Sequence, residues 1–274
     1  MRAPLVWLIA TVSLLALFLL FVAIGWPGEP DSCTVDSPNT CYCEAYDLAE
    51  IEANMPGVRQ PANTWFNLYS IFTAALVVPF LSKDRKTFKG RTAPNLMRSD
   101  SWIPDIYLFA VLFLGLGSMW FHASLTSWGG IFDGLSMYIY AAFLVFYTAI
   151  RLCGRQLIFW IGYPTFVVMM TIFHAYEVSS FALIIILVVA YLLLEIVIWI
   201  ERSEIALGSL RPILLWIFAA VCIIGATIFW LLSQTGEPLC NPDSWVQPHG
   251  LLWHPLAGVM AVLLYFYWRE EEPA

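Results

Sequence analysis

Long uncharged apolar segments, separated by short polar loops, constrain the fold of this chain most strongly. Each is close to the ~20 residues that an α-helix needs to cross a bilayer. Only 12% of the 274 residues are charged, whereas a soluble domain carries about a quarter. Because a helix satisfies its own backbone groups in lipid, the pattern predicts an all-α polytopic membrane protein, a seven-transmembrane helix bundle plus an extra N-terminal hydrophobic helix. The apolar segments fall at 4–26, 63–82, 102–122, 131–150, 157–173, 180–200, 212–233 and 250–268.

The polar stretches divide the chain into three predicted regions. Residues 1–26 read as a signal-anchor helix, because their apolar run exceeds the roughly 7–15 residues of a signal-peptide core and no clear cleavage site follows. A cleaved signal peptide is the alternative. Residues 27–61 read as an outer cap segment that contains cysteines, and residues 62–274 as a seven-helix transmembrane domain.

Basic residues set the expected orientation. The loop after the second apolar segment holds six of the chain's 13 lysines and arginines, namely Lys83, Arg85, Lys86, Lys89, Arg91 and Arg98. Cytoplasmic loops carry such an excess. We therefore expect this loop and the C-terminus to be cytoplasmic, and segments 27–61 and 234–249 to lie on the periplasmic or lumenal side.

The cysteines follow the same orientation. Four of them, Cys33, Cys41, Cys43 and Cys240, fall on the predicted outer side, which is oxidising in a periplasm or secretory lumen. We expect these four to pair, with Cys43–Cys240 tying the cap to the last outer loop, although four cysteines allow three connectivities.

Four polar residues from distant parts of the sequence are expected at one depth near the outer face, with a fifth, Ser118, one turn deeper. Ser118 and His122 are four apart, so they share one face of a helix that runs outward. Asp133 begins the next inward segment, and His249 and His254 open the last inward segment. Ionisable groups inside a span are costly and usually functional.

This set contains the parts of a hydrolytic metal centre. His122, His249 and His254 are the candidate zinc ligands, since a catalytic zinc keeps three protein ligands and one open position. Zinc lowers the pKa of bound water and polarises a carbonyl. Asp133 is the candidate general base, and Ser118 the candidate donor to the developing oxyanion. The set fits hydrolysis of an amide or ester whose tail lies in the membrane.

The spacing of the last two histidines needs a local irregularity. Residues five apart on an ideal α-helix point ~140° apart. An irregular turn after Pro248, or a π-bulge, would bring His249 back beside His254.

Each polar residue also has an ordinary structural interpretation. Asp133, which follows an expected break at Gly129–Gly130, could cap its helix. Ser118 could serve helix packing beside Gly115 and Gly117.

Three further polar residues are left outside the predicted site. Glu195 is expected to reach the inner interface or to pair with Arg202. His174 and Glu177 are interpreted as flanking a solvated loop.

Several motifs together resemble the alkaline ceramidase family. They are the SxxxH of Ser118–His122, Asp133 eleven residues further on, and the HGLLWH of 249–254, with CYCE at 41–44 and NTWFN at 63–67. The resemblance implies a seven-helix bundle, zinc on three histidines, and hydrolysis of ceramide to a sphingoid base and a fatty acid. The expected partner is therefore a ceramide-like membrane lipid, and no basic patch indicates a nucleic acid.

The resemblance is weaker at the family's calcium site. The comparable positions here are Cys41, Tyr42, Glu44, Tyr46 and Gln60, which offer few of the oxygen ligands that calcium prefers. We therefore predict that a family-type calcium site is absent.

Three other functions compete with an amidase. A lipid acyl-ester hydrolase of the CREST superfamily, the wider group of membrane hydrolases that includes the alkaline ceramidase family, would use the same ligands. A metal-binding receptor or sensor would keep the bundle with little activity. A haem-binding electron carrier is disfavoured because Ser118 and Asp133 would have no role. The sequence leaves the oligomeric state open.

Overall fold

The computed structural model describes residues 2–35, 42–176, 180–201 and 210–271, and these form an almost wholly helical bundle. The helices are α1 (Arg2–Ile24), α2 (Ser32–Val35), α3 (Leu48–Glu52), α4 (Pro61–Phe66), α5 (Tyr69–Phe88), α6 (Ile103–Ser124), α7 (Ser127–Cys153), α8 (Tyr163–Ala175), α9 (Ser180–Glu201), α10 (Leu210–Leu232) and α11 (His254–Arg269). A 3₁₀ turn lies at Leu96–Arg98, and π-helical turns lie at Ile158–Gly162 and His249–Trp253.

Eight helical stretches in this part of the chain are long and apolar enough to cross a membrane, which confirms the predicted polytopic architecture. Helix α6 is central: nearly all of its side chains are buried, and it packs against α1, α4, α5 and α7. Helices α8 and α9 pack on α7, and α10 packs on α11. The outer end of α6, which carries Ser118 and His122, is therefore enclosed by protein.

The turn between α6 and α7 is shorter than the sequence suggests. Helix α6 ends at Leu125, a left-handed residue with φ of 51°, and Thr126 caps α7 by accepting a hydrogen bond from the N–H of Gly129. The expected break at Gly129–Gly130 is thus wrong, because both glycines lie in the first turn of a capped helix. Asp133 lies inside α7 and is not its N-cap.

A buried ion pair closes the inner end of the bundle. The carboxylate of Glu195, fully buried on α9, pairs with Arg151 of α7 and accepts a hydrogen bond of 2.8 Å from the Tyr267 hydroxyl. Charges this deep require such partners. The sequence interpretation paired Glu195 with Arg202, which lies outside the described residues; the partner in the structure is Arg151.

Helix α1 is anchored at both ends. Arg2 lies 2.9 Å from the carboxylate of Asp105 at the start of α6. At the other end, the indole N–H of Trp26 donates to the carbonyl of Gly57 over 2.7 Å. The signal-anchor helix and its alternative, a cleaved signal peptide, both stay predictions.

A disulfide joins the outer cap to the last outer loop. Cys43 is bonded to Cys240, with Cα atoms 5.4 Å apart, which confirms the predicted pair. Cys33 is also disulfide-bonded, and Cys41 lies outside the described residues. Among the described cysteines, Cys153 and Cys222 are free.

Removing the Cys43–Cys240 cross-link should destabilise the protein. The bond spans 197 residues, and a cross-link that restricts the unfolded chain contributes about 2–4 kcal/mol. We expect Cys43→Ser/Cys240→Ser to lower the free energy of unfolding in detergent by this amount. The control is Cys153→Ser, which replaces a free and exposed thiol. Equal stability of the double variant and this control would contradict the prediction.

Candidate metal centre

Three of the four histidines meet at the end of the bundle that is predicted to face outward. One ring nitrogen from each of His122, His249 and His254 lies within 4.8 Å of the corresponding nitrogens of the other two. All three side chains are buried. The structure therefore brings together the three residues that the sequence predicts as metal ligands.

A π-helical turn solves the five-residue spacing. His249–Trp253 form this turn, and α11 begins at His254. The wider turn brings residues five apart to one side of the helix, so the ring centroids of His249 and His254 are only 4.7 Å apart. The predicted π-bulge is confirmed.

Glycine at position 250 lets α4 lie against the π-turn. A Cβ at Gly250 would be 3.0 Å from the side-chain oxygen of Asn63 and 3.2 Å from the carbonyl oxygen of Ala62. Contacts this close leave no room for a side chain. The HG pair of the motif thus combines a ligand with a point of close helix packing.

Gln60 orients the ring of His122. The Nδ1 atom of His122 lies 2.7 Å from Oε1 of Gln60, while the Gln60 amide nitrogen donates to the carbonyls of Tyr42 and Glu44. Because an amide oxygen only accepts, the proton of the neutral His122 ring is on Nδ1. Nε2 is then the free ligand atom, in the arrangement typical of metal-bound histidines.

The unpaired nitrogens fit a metal ion. Nε2 of His122 and both ring nitrogens of His249 are buried without a hydrogen-bond partner among the described residues. Nε2 of His254 lies 3.3 Å from the amide nitrogen of Asn67. Because buried polar atoms without partners are costly, three converging imidazoles suit a cation that accepts nitrogen ligands, such as zinc.

Asp133 and Ser118 complete the cluster. Both are buried and line a cavity of about 30 Å³ together with His249 and His254, large enough to hold a water molecule. Ser118 reaches this cavity from α6, and Asp133 reaches it from the neighbouring helix α7. The structure thus places all five predicted residues together.

The packing interpretation of the neighbouring glycines also holds. A Cβ at Gly115 would be 2.5 Å from the carbonyl oxygen of Asn67, and one at Gly117 would be 2.6 Å from Cβ of Ser136. The two glycines allow close approach of α5 and α7 to α6. Ser118 therefore lines the cavity of the candidate site next to residues that serve packing.

The cap residues considered for calcium have other partners. The Glu44 carboxylate accepts hydrogen bonds from the N–H groups of Ala62 and Asn63, at 2.7 and 2.8 Å, and so caps α4. Burial raises the pKa of Glu44, and these two bonds oppose the rise. Gln60 is engaged with His122. The absence of a family-type calcium site stays a prediction.

His174 is not the solvated loop residue that the sequence suggests. Its Nε2 atom lies 3.2 Å from the carbonyl oxygen of Gly130, and its ring lines an outer cavity of about 370 Å³ together with Asp31 and Asp133. Neither Asp31 nor His174 belongs to a recognisable motif, so pattern analysis missed both. Glu177 lies outside the described residues.

An apolar cavity adjoins the metal centre on the membrane side. It measures about 80 Å³ and is lined by α6, α7, α9, α10 and α11. It shares Leu114, Met137, Trp253 and Ala257 with the cavity that holds Ser118 and Asp133. The site thus lies between the outer cavity, which carries Asp31 and His174, and this apolar cavity.

Comparison with known families agrees with this geometry. The family model described as Ceramidase matches residues 57–269, a segment that contains α4, the three clustered histidines, Ser118 and Asp133. No curated protein matches the chain. Since the match covers most of the sequence, this chain belongs to the ceramidase family.

Proposed function

We propose that this protein is a zinc-dependent membrane amidase that hydrolyses ceramide-like sphingolipids to a sphingoid base and a fatty acid. The observation that carries the proposal is the meeting of three buried histidines with Ser118 and Asp133 beside an apolar cavity. Membership of the ceramidase family supports an amide as the bond that is cleaved.

The cavities suggest how a lipid reaches the site. Helices α9 and α10 meet towards their inner ends, where the rings of Trp199 and Trp216 are 4.8 Å apart. Towards the outer face, side chains of both helices line the outer cavity. Two of these side chains, Ile185 and Val189 of α9, are also exposed on the lipid-facing surface. This opening would admit a lipid sideways from the bilayer, with one chain entering the apolar cavity.

The roles of the residues follow from their positions. His122, His249 and His254 would hold zinc, which activates water and polarises a carbonyl when bound. Asp133 accepts a proton from the water whose oxygen attacks the amide carbon. The Ser118 hydroxyl donates to the developing oxyanion. When the C–N bond breaks, Asp133 returns the proton to the leaving nitrogen, so that acid and amine form.

The orientation remains as the basic loop predicts. With the Lys83–Arg98 loop in the cytoplasm, α6 runs outward and the metal centre lies near the periplasmic or lumenal face. The disulfide between Cys43 and Cys240 on the same side is consistent with an oxidising compartment.

Substitution of single histidines distinguishes the proposed metal ligands from the fourth histidine, His174, by their effect on zinc content. We expect purified wild-type protein to contain about one zinc per chain, and His122→Ala to lose both zinc and hydrolysis because one of three ligands is gone. His174→Ala, on the same side but outside the cluster, should retain zinc. Elemental analysis tests this, and full zinc occupancy in His122→Ala would exclude the site.

Zinc content and turnover together distinguish a general-base role of Asp133 from a metal-ligand role. Asp133→Asn keeps the shape of the side chain but cannot accept the proton. We expect it to retain zinc and to lower kcat by about 10²–10⁴-fold, the usual contribution of general base catalysis. Loss of zinc would instead make Asp133 a ligand, and unchanged turnover would remove its proposed role.

The apolar cavity should limit chain length. Ala219 of α10 lines this cavity and is buried, so Ala219→Trp would fill space that the substrate chain needs. We expect kcat/KM to fall about tenfold or more for long acyl chains and less for short ones. Val221→Trp, on the lipid-facing side of the same helix, is the control. An equal loss for all chain lengths would show that the cavity does not hold the chain.

A further inference from the structure

The outer cavity is built partly by a segment that the family match does not include. That match begins at residue 57, but Asp31 and Cys33 of the N-terminal region line the cavity together with His174 of α8. The cavity reaches Asp133 and therefore leads directly to the proposed reaction centre.

Asp31 is held firmly at the cavity wall. Its backbone N–H donates to the carbonyl of Leu125 over 2.9 Å, and its Oδ1 atom accepts from the N–H of Cys33 over 3.0 Å. Its Oδ2 atom lies over Gly130, where a Cβ would be only 2.5 Å away. The glycine thus makes room for the carboxylate, and the fixed backbone keeps it there.

His174 is held against the same turn of α7. Its Nε2 atom contacts the Gly130 carbonyl oxygen at 3.2 Å, and a carbonyl only accepts, so Nε2 carries a proton. Its ring packs where a Cβ at Gly134 would be 3.0 Å from Nε2. In the neutral ring, Nδ1 remains an acceptor.

The two residues place two hydrogen-bond acceptors, Oδ2 of Asp31 and Nδ1 of His174, at one wall of the cavity. No lysine or arginine occurs among the described residues that line it. Burial raises the pKa of Asp31, and the hydrogen bond from the Cys33 N–H opposes the rise. A ligand that donates hydrogen bonds would satisfy these acceptors, whereas a phosphate would meet a carboxylate without a cation to bind it.

We propose that Asp31 and His174 form a head-group subsite that binds the hydroxyl-bearing head of the lipid substrate and disfavours a phosphorylated head. This inference rests on the proposed function. It fits the order of the cavities, because a head held beside Asp31 and Asp133 leaves the amide at the metal centre and one chain in the apolar cavity. The N-terminal segment would then contribute to specificity.

The test compares two substrates with the same acyl chain, ceramide and ceramide 1-phosphate, in detergent with full-length protein. We expect wild type to prefer ceramide. Asp31→Asn removes the negative charge with little change of shape, and should narrow the ratio of the two kcat/KM values about tenfold, mainly through a higher KM for ceramide. Glu29→Gln removes an equal charge from an exposed position on the same segment, and should leave the ratio unchanged.

A second variant keeps the test decisive if Asp31→Asn does not fold. His174→Phe preserves a ring but removes its polar nitrogens, and should raise KM for ceramide several-fold with zinc content retained. If folded Asp31→Asn and His174→Phe keep the wild-type ratio of kcat/KM for the two substrates and the wild-type KM for ceramide, the proposed subsite is wrong. The proposed function would remain intact. Failure of wild type to cleave ceramide at all would instead overturn the proposed function.

Discussion

The convergence of three buried imidazoles is the constraint on which the rest of the outer half depends. Nitrogen atoms that are removed from water need partners. Among the described residues, however, Nε2 of His122 and both ring nitrogens of His249 are buried without a hydrogen-bond partner. The π-turn is what makes this convergence geometrically attainable. A regular α-helix would point His249 away from His254, and the cluster would have two histidines instead of three.

The outer cap connects a covalent bond to the metal centre through a short series of contacts. Cys43 is fixed by its disulfide to Cys240, and the adjacent Glu44 caps α4. The Glu44 carbonyl accepts from Gln60, whose side-chain oxygen in turn contacts His122. Each step restricts the next residue, so the cap serves the positioning of His122 as well as covering the bundle.

Hydropathy and residue spacing predicted the parts of the fold that depend on one segment at a time. The spans, the set of Ser118, Asp133 and the three histidines, and the π-bulge could be derived in this way. The N-cap at Thr126 was not predicted, because paired glycines usually interrupt helices. Here the preceding threonine and close packing keep Gly129 and Gly130 helical. The Glu195–Arg151 pair depends on how two helices are rotated against each other, which a linear pattern does not encode. Asp31 and His174 were missed for the same reason: they meet only at Gly130, in three dimensions. The boundaries at 1–26, 27–61 and 62–274 stay predictions.

The central claim is that a metal held by three histidines drives cleavage of a lipid amide. The most direct measurement is fatty-acid release from ceramide by the wild-type protein in detergent, before chelation, after chelation, and after zinc is added back. The account predicts release that disappears with the bound zinc and returns with about one zinc per chain. Release that continues after the metal has been removed would contradict it.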